Sequence, residues 1–184
     1  MKRHPSLRQF SDDHHQGLVN ARRLRRAASG KGSSSAGTAR DFLGFWQRDT
    51  SLHFRKEEEV LLPVLARHGG DLSERPILQM LAQHARIRGL AMQLSDELKQ
   101  DEIREDTLRN LGEQLEAHIR LEERQVFPLI EQTLPEHALQ EVSSRLDVFE
   151  PGPPHEGWVP AKGSPSTLGP VRETAKVVAR TDTG

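Results

Sequence analysis

The sequence contains no cysteine and no tyrosine, and each absence excludes a class of function. Without cysteine the chain forms no disulfide, no iron–sulfur cluster and no cysteine-type zinc site, and it has no thiolate nucleophile. Without tyrosine it has no phenol that could carry a radical or act as an acid or a base. The lack of cysteine also fits a reducing compartment.

Long apolar runs and an excess of one charge are missing as well. No uninterrupted apolar run reaches the roughly 18 residues of a membrane span. The net charge of −1 gives no reason to expect nucleic acid or a membrane as a partner, and the arginines at 22–26 are interpreted as a solvated helix face. The first ten residues have no signal-peptide core, so we expect a cytoplasmic protein.

Apolar residues recur at three- and four-residue spacing in four segments, which predicts four amphipathic helices. These segments are residues 4–28, 38–67, 73–98 and 105–131, with breaks at 29–37, 69–72 and 99–106. Ser73 is the expected N-cap of the third helix. Because no segment alternates with a period of two, we expect an all-α, up-down-up-down four-helix bundle.

The domain limits follow from changes in composition along the chain. The bundle is predicted over residues 1–133, followed by a short fifth helix within residues 134–150. Residues 151–184 are rich in proline, glycine and serine, which is typical of a disordered tail.

One eleven-residue pattern occurs twice, in the second and in the fourth predicted helix. Residues 53–63 read HFRKEEEVLLP and residues 118–128 read HIRLEERQVFP, each with His-x-x-x-Glu and a later proline. Four helical residues turn about 400°, so His53 and Glu57 share one face, as do His118 and Glu122. Each pair interrupts an inward-facing apolar stripe, which in the second helix runs through Phe42, Trp46, Asp49, His53, Glu57 and Val60. Unpaired burial there costs several kcal/mol, and a bound metal removes that cost.

A single copy of this pattern has little weight, because about one arises by chance in a chain with nine histidines. A third copy, His137 with Glu141, follows Pro135 and lies outside the four segments. We interpret it as the chance copy.

The other two predicted helices each place one histidine on the inward face. The stripe of the third helix contains His84. The stripe of the first helix runs through Phe10, His14 and Leu18, so periodicity favours His14 over His15, which shares a face with several arginines.

These motifs together resemble the hemerythrin-like, HHE cation-binding family over about residues 4–131. The residues that carry the resemblance are DHH at 13–15, the two repeated segments, and QHA at 83–85. The resemblance implies a non-haem di-iron centre, oxo- or hydroxo-bridged, in which both glutamates bridge the irons. It assigns as ligands His14, His53, Glu57, His84, His118 and Glu122.

Two positions differ from the oxygen-carrying members of that family. Those members have an additional histidine four residues from the third-helix ligand, where this chain has Met80 or Arg88, and an aspartate where it has Glu123. The departures argue against reversible oxygen storage and favour a reactive or sensing site. The pattern is closer to the iron–sulfur repair and nitric-oxide-linked members, whose cysteine-containing N-terminal domain this sequence lacks.

We therefore expect a protein that senses, scavenges or binds oxygen, nitric oxide or peroxide, or that stores iron. The alternative is a di-iron enzyme that reduces nitric oxide or peroxide, and a third hypothesis is a structural bundle whose histidines bind nothing. A ferritin-like site is disfavoured because it needs Glu-x-x-His spacing. A zinc site is disfavoured because six converging ligands exceed the needs of one tetrahedral ion.

Overall fold

The computed structural model describes residues 3–150, and all of the regular secondary structure in this range is helical. After a 3₁₀ turn, Pro5–Leu7, helix α1 spans Arg8–Ala28 and helix α3 spans Arg75–Lys99. Helix α5 spans Glu136–Asp147 and is the predicted fifth helix. The predicted tail at 151–184 lies outside the described residues.

Helices α2 and α4 each run without a break in the helix but contain π-helical turns. Helix α2 consists of Ser35–Phe45, Trp46–Thr50, Ser51–Lys56, Glu57–Leu61 and Leu62–Arg67, of which the second and fourth segments are π-helical. Helix α4 consists of Glu105–Leu121, the π turn Glu122–Val126, and Phe127–Thr133. A π turn makes i→i+5 hydrogen bonds and is frequent at functional sites.

The two prolines of the repeated segments explain where two of these π turns lie. Pro63 and Pro128 each follow a π turn that begins at the glutamate of the motif, Glu57 or Glu122. A proline has no N–H, and its ring clashes with the carbonyl four residues earlier, so a widened turn accommodates it. Both helices continue beyond their proline, to Arg67 and Thr133 respectively, so neither proline ends its helix.

Helix α5 extends the apolar core of the four longer helices. Its inward residues Ala138, Leu139, Val142 and Leu146 belong to the same buried cluster as Leu7 and the last turns of α2 and α4. Among residues 3–150, no helix combines the length and the apolar character needed to cross a membrane.

Three local predictions were wrong. Ser73 is not the N-cap of α3, because its N–H bonds to the Asp71 carboxylate and the helix begins at Arg75 after Glu74. Leu18, which the periodicity of the first helix placed on the inward face, is 39% exposed. Asp49, which the periodicity of the second helix placed inward, is exposed, because the π turn at Trp46–Thr50 shifts the helical register by one residue.

Helices α1 and α4 pack closely at two glycines. A Cβ atom at Gly112 would lie 2.7 Å from the backbone oxygen of Ala21, and one at Gly17 would lie 2.7 Å from a side-chain carbon of Ile119. The contact at Gly112 is with backbone, which cannot move aside without separating the helices. This close packing brings the middle of α1 next to the middle of α4.

We expect Gly112→Ala to lower the free energy of unfolding by about 1–3 kcal/mol, because it forces α1 away from α4. The matched control is Gly89→Ala on the exposed face of α3, where a Cβ meets nothing within 4 Å. That variant is expected to gain about 0.5–1 kcal/mol from helix propensity alone. Urea unfolding measures both, and a Gly112→Ala protein as stable as the control would contradict the close packing.

Candidate metal centre

The six residues predicted as metal ligands converge at one place between the four long helices. Their exposed fractions lie between 0% and 6%. They come from α1, α2, α3 and α4, in the order His14, His53 with Glu57, His84, and His118 with Glu122. His15 is exposed, as the periodicity predicted.

The carboxylate of Glu57 lies between two histidines of different helices. Its Oε1 is 3.5 Å from Nε2 of His53, and its Oε2 is 3.3 Å from Nε2 of His84. One oxygen therefore faces the histidine of α2 and the other faces the histidine of α3.

The carboxylate of Glu122 has the same relation to the other two histidines. Its Oε2 is 2.9 Å from Nε2 of His14, and its Oε1 is 2.8 Å from Nε2 of His118. The same two oxygens also lie 3.9 Å from His53 and 3.6 Å from His84, respectively. Each carboxylate thus has one oxygen toward the pair His14 and His53, and one toward the pair His84 and His118.

Most of the inner atoms of this cluster make no hydrogen bond within the protein; the exceptions are Nε2 of His14 and Nε2 of His53, which lie 3.2 Å apart. Although the other inner atoms lie within ion-pair distance of one another, no hydrogen bond satisfies the atoms His84 Nε2, His118 Nε2 and both oxygens of Glu57 and Glu122. Unsatisfied buried charges are costly, whereas imidazole nitrogens and carboxylate oxygens are ordinary ligands of transition metals. Two overlapping groups can hold a metal, namely Glu57, His84, His118 and Glu122, and His14, His53 and Glu122.

The outer nitrogen of each histidine also has a partner, which fixes the tautomer. His14 Nδ1 lies 2.7 Å from Glu123 Oε1, and His84 Nδ1 lies 2.7 Å from Glu58 Oε1. A carboxylate accepts, so Nδ1 carries a proton and donates it, and in the neutral imidazole the Nε2 lone pair is then directed inward. The neighbouring Glu59 holds no histidine of the cluster and instead forms an ion pair with Arg55.

The two histidines of the repeated segments are held in the same way by residues that sequence reasoning did not identify. His53 Nδ1 lies 3.2 Å from Asp13 Oδ2, and His118 Nδ1 lies 3.3 Å from Gln83 Oε1. Asp13 and Gln83 each directly precede a site histidine, in the dipeptides DH and QH. That position relative to His14 and His84 is the signal that could have found them.

A stack of side chains supports His84. The ring of Phe54 lies 3.8 Å from that of His84 at 13°, and the guanidinium of Arg88 lies 5.5 Å from the Phe54 ring. Arg88 also donates to both oxygens of Glu58 at 2.8 Å. Since Arg88 is bound to Glu58 and Met80 is fully buried among apolar residues, neither position supplies an additional donor.

An equivalent stack supports His14 from different positions in the sequence. The ring of Phe127 lies 5.6 Å from that of His14 at 9°, and the guanidinium of Arg3 lies 5.0 Å from the Phe127 ring. Arg3 pairs with Glu123 at 2.7 Å and with Glu131 at 3.1 Å. Each of these two histidines is therefore fixed by a stacked ring, a carboxylate and an arginine.

The electrostatics of the metal-free cluster follow from these contacts. Burial lowers the pKa of His84, but Glu122, Glu57 and Glu58 more than offset this and raise it to about 10. Burial and the charge of Glu122 raise the pKa of Glu57, whereas contacts with His53 and His84 outweigh both and lower it. The carboxylates are thus held ionised, as metal ligands must be.

The third copy of the pattern plays no part in this cluster. His137 is exposed, and Glu141 accepts hydrogen bonds from Arg67, His68 and Arg145. The interpretation of His137 and Glu141 as a chance copy agrees with this placement.

A cavity of about 170 Å³ opens beside the cluster. Its wall includes His14, His53 and His118, and its apolar part includes Phe45 and Phe54. The cavity gives a small molecule access to one side of the buried histidines and carboxylates.

The helical fold and the buried cluster of histidines and carboxylates suggest a metal-binding protein. The model of the hemerythrin HHE cation-binding domain matches residues 7–130, so the chain belongs to that family. The resemblance found in the sequence is confirmed. No curated protein and no solved structure matches the chain.

The carboxylates of Glu58 and Glu123, which hold the outer nitrogens of His84 and His14, make the stability of the metal-free protein depend on pH. Burial raises the pKa of Glu58 and of Glu123, but hydrogen bonds from His84 and Arg88, and from His14 and Arg3, lower each pKa to about 2. The stability they contribute is present above their ordinary value of 4.5 and is lost as the pH falls through about 2.

We therefore expect Glu58→Gln and Glu123→Gln to flatten the fall of the urea midpoint between about pH 5 and pH 2.5, measured after chelation. Glu113→Gln, an exposed position on α4, is the control. The assigned contacts would be contradicted if all three variants followed the wild-type curve.

Proposed function

We propose that the cluster holds two iron ions, one bound by His14 and His53 and the other by His84 and His118. Glu57 and Glu122 then bridge the irons, one oxygen to each. The observation that carries the proposal is that both carboxylates are divided between the same two histidine pairs. A single ion would leave two of the buried imidazoles without a partner.

The proposed ligand set leaves positions open for a small molecule. Two octahedral ions offer about twelve coordination positions, of which four imidazoles and two bridging carboxylates fill about eight. An oxo or hydroxo bridge fills about two more, which leaves about one position on each iron. A non-haem di-iron centre with open positions binds, reduces or oxidises small oxygen- and nitrogen-containing molecules.

The function we propose is the sensing, scavenging or binding of oxygen, nitric oxide or peroxide, or the storage of iron. The cavity beside His14, His53 and His118 supports it, because it is large enough for such molecules and too small for most organic substrates. The absence of tyrosine weighs against a di-iron enzyme with a protein radical. Turnover of nitric oxide or peroxide with an electron donor would establish the enzyme instead.

The proposal includes the up-down-up-down order of α1 to α4 as a bundle over residues 1–133, with α5 as an extension. Short connections join successive helices, which favours antiparallel neighbours. Side chains of all four helices contribute to the cluster, as they do in bundle-core metal sites.

The test is the iron content of the full chain, purified from iron-replete cells and measured by elemental analysis with an absorption spectrum. We expect about two irons per chain and near-ultraviolet absorption from an oxo-bridged pair. His118→Ala removes one of two imidazoles at one position and should reduce the content to about one or fewer.

His137→Ala is the matched control, because it removes a histidine from the chance copy of the same motif. It should keep about two irons and the wild-type spectrum. Equal iron content and thermal stability in His118→Ala and in wild type would instead support the structural bundle whose histidines bind nothing.

A further inference from the structure

The wall of the cavity contains a buried hydroxyl group that is not satisfied within the protein. Thr50 is 6% exposed, and its Oγ1 has no hydrogen-bond partner among residues 3–150. The residue lies on α2 three positions before His53, so both side chains are on the same face of the helix. Thr50, His14 and His53 all line the cavity.

A helical hydroxyl without a partner is unusual, because it can bond to the carbonyl four residues earlier. Within residues 3–150 the hydroxyls of Ser29, Ser51, Thr133 and Ser144 do so. At Thr50 the helix is π-helical, and the carbonyl of Trp46, four residues earlier, accepts the N–H of Ser51 instead. A buried unpaired hydroxyl lowers stability, so a function is the simplest reason to retain it.

The residue at the same distance before the other motif histidine has no hydroxyl. Leu115 lies three residues before His118 and lines the same cavity. Leu115 therefore brings an apolar side chain to the cavity wall, whereas Thr50, next to His53, brings one that carries a hydroxyl. The Thr50 Oγ1 is itself enclosed by protein, so the hydroxyl reaches a ligand near His14 and His53 when the side chain rotates about its Cα–Cβ bond.

The outer end of the cavity indicates the charge of that ligand. Asp12, Asp13 and Asp49 line it and are exposed, so three carboxylates surround the entrance. Negative charge at an entrance lowers the local concentration of anions. The arrangement disfavours anions, and a cation is a poor acceptor for the Thr50 hydroxyl, so an uncharged molecule fits both features.

We propose that the hydroxyl of Thr50 donates a hydrogen bond to a small uncharged molecule with an oxygen lone pair, held in the cavity at the metal of His14 and His53. Nitric oxide, dioxygen and hydrogen peroxide have this chemistry. The proposal rests on the metal centre proposed above and adds the residue that selects and orients its ligand.

The probe is nitric oxide added to the full chain loaded with iron(II). In Thr50→Val, which keeps the shape and removes the hydroxyl, the dissociation constant should rise about tenfold, the equivalent of one lost hydrogen bond. The infrared N–O stretch should move to higher frequency, because the donor no longer stabilises charge on the oxygen. Thr50→Ser should restore both values.

A second measurement uses the metal-free protein. Thr50→Val should unfold at the same or a higher urea concentration than wild type, because it removes an unpaired buried hydroxyl. A lower midpoint would show that the hydroxyl is satisfied within the protein, and it would overturn the proposal.

Thr133→Val is the control, since it removes a hydroxyl that bonds to the Leu129 carbonyl. It should leave the N–O stretch unchanged. An iron-loaded Thr50→Val protein with the wild-type stretch and affinity would overturn this inference alone. Wild-type protein that holds no iron would overturn the proposed centre and this inference with it.

Discussion

The rest of the structure depends on the burial of two carboxylates, Glu57 and Glu122, side by side between four helices. Both are fully buried, and the charge of Glu122 raises the pKa of Glu57. Two negative charges stay ionised in such a place only if positive charge lies against them. In the metal-free chain the imidazoles supply that charge. We propose that in the cell two metal ions supply it, which frees the imidazoles to act as neutral ligands.

The two halves of the cluster are related by the repeat and yet differ in chemistry. Helices α1 and α2 correspond to α3 and α4, both in the inner donors and in the outer acceptors that directly precede or follow them in sequence. The difference lies in the chemical type of one pair of these outer acceptors. His53 is held by the carboxylate of Asp13, whereas His118 is held by the amide of Gln83. A carboxylate raises the basicity of the histidine that it holds, so the two metal positions that we propose would not be equivalent.

Periodicity was enough to predict the helices and the inward direction of all six residues, because a 3.6-residue repeat reports which side chains share a face. It failed where the direction or the contacts of a side chain depend on the backbone hydrogen-bond pattern or on packing between helices. The π turn at Trp46–Thr50 turned Asp49 to solvent, and no proline follows this turn to indicate its position, as Pro63 and Pro128 do for the other two. Arg3 lies before α1 and reaches Glu123 on α4, a contact that depends on tertiary packing and has no periodicity. The cavity and its hydroxyl at Thr50 likewise required the packed structure.

Iron K-edge X-ray absorption of the loaded full chain measures directly whether two metal ions share both carboxylates. We expect a metal–metal vector of about 3.5–4 Å, or somewhat shorter with a single-atom bridge, together with nitrogen and oxygen neighbours. Loaded protein with one iron per chain and no metal–metal vector would contradict this expectation.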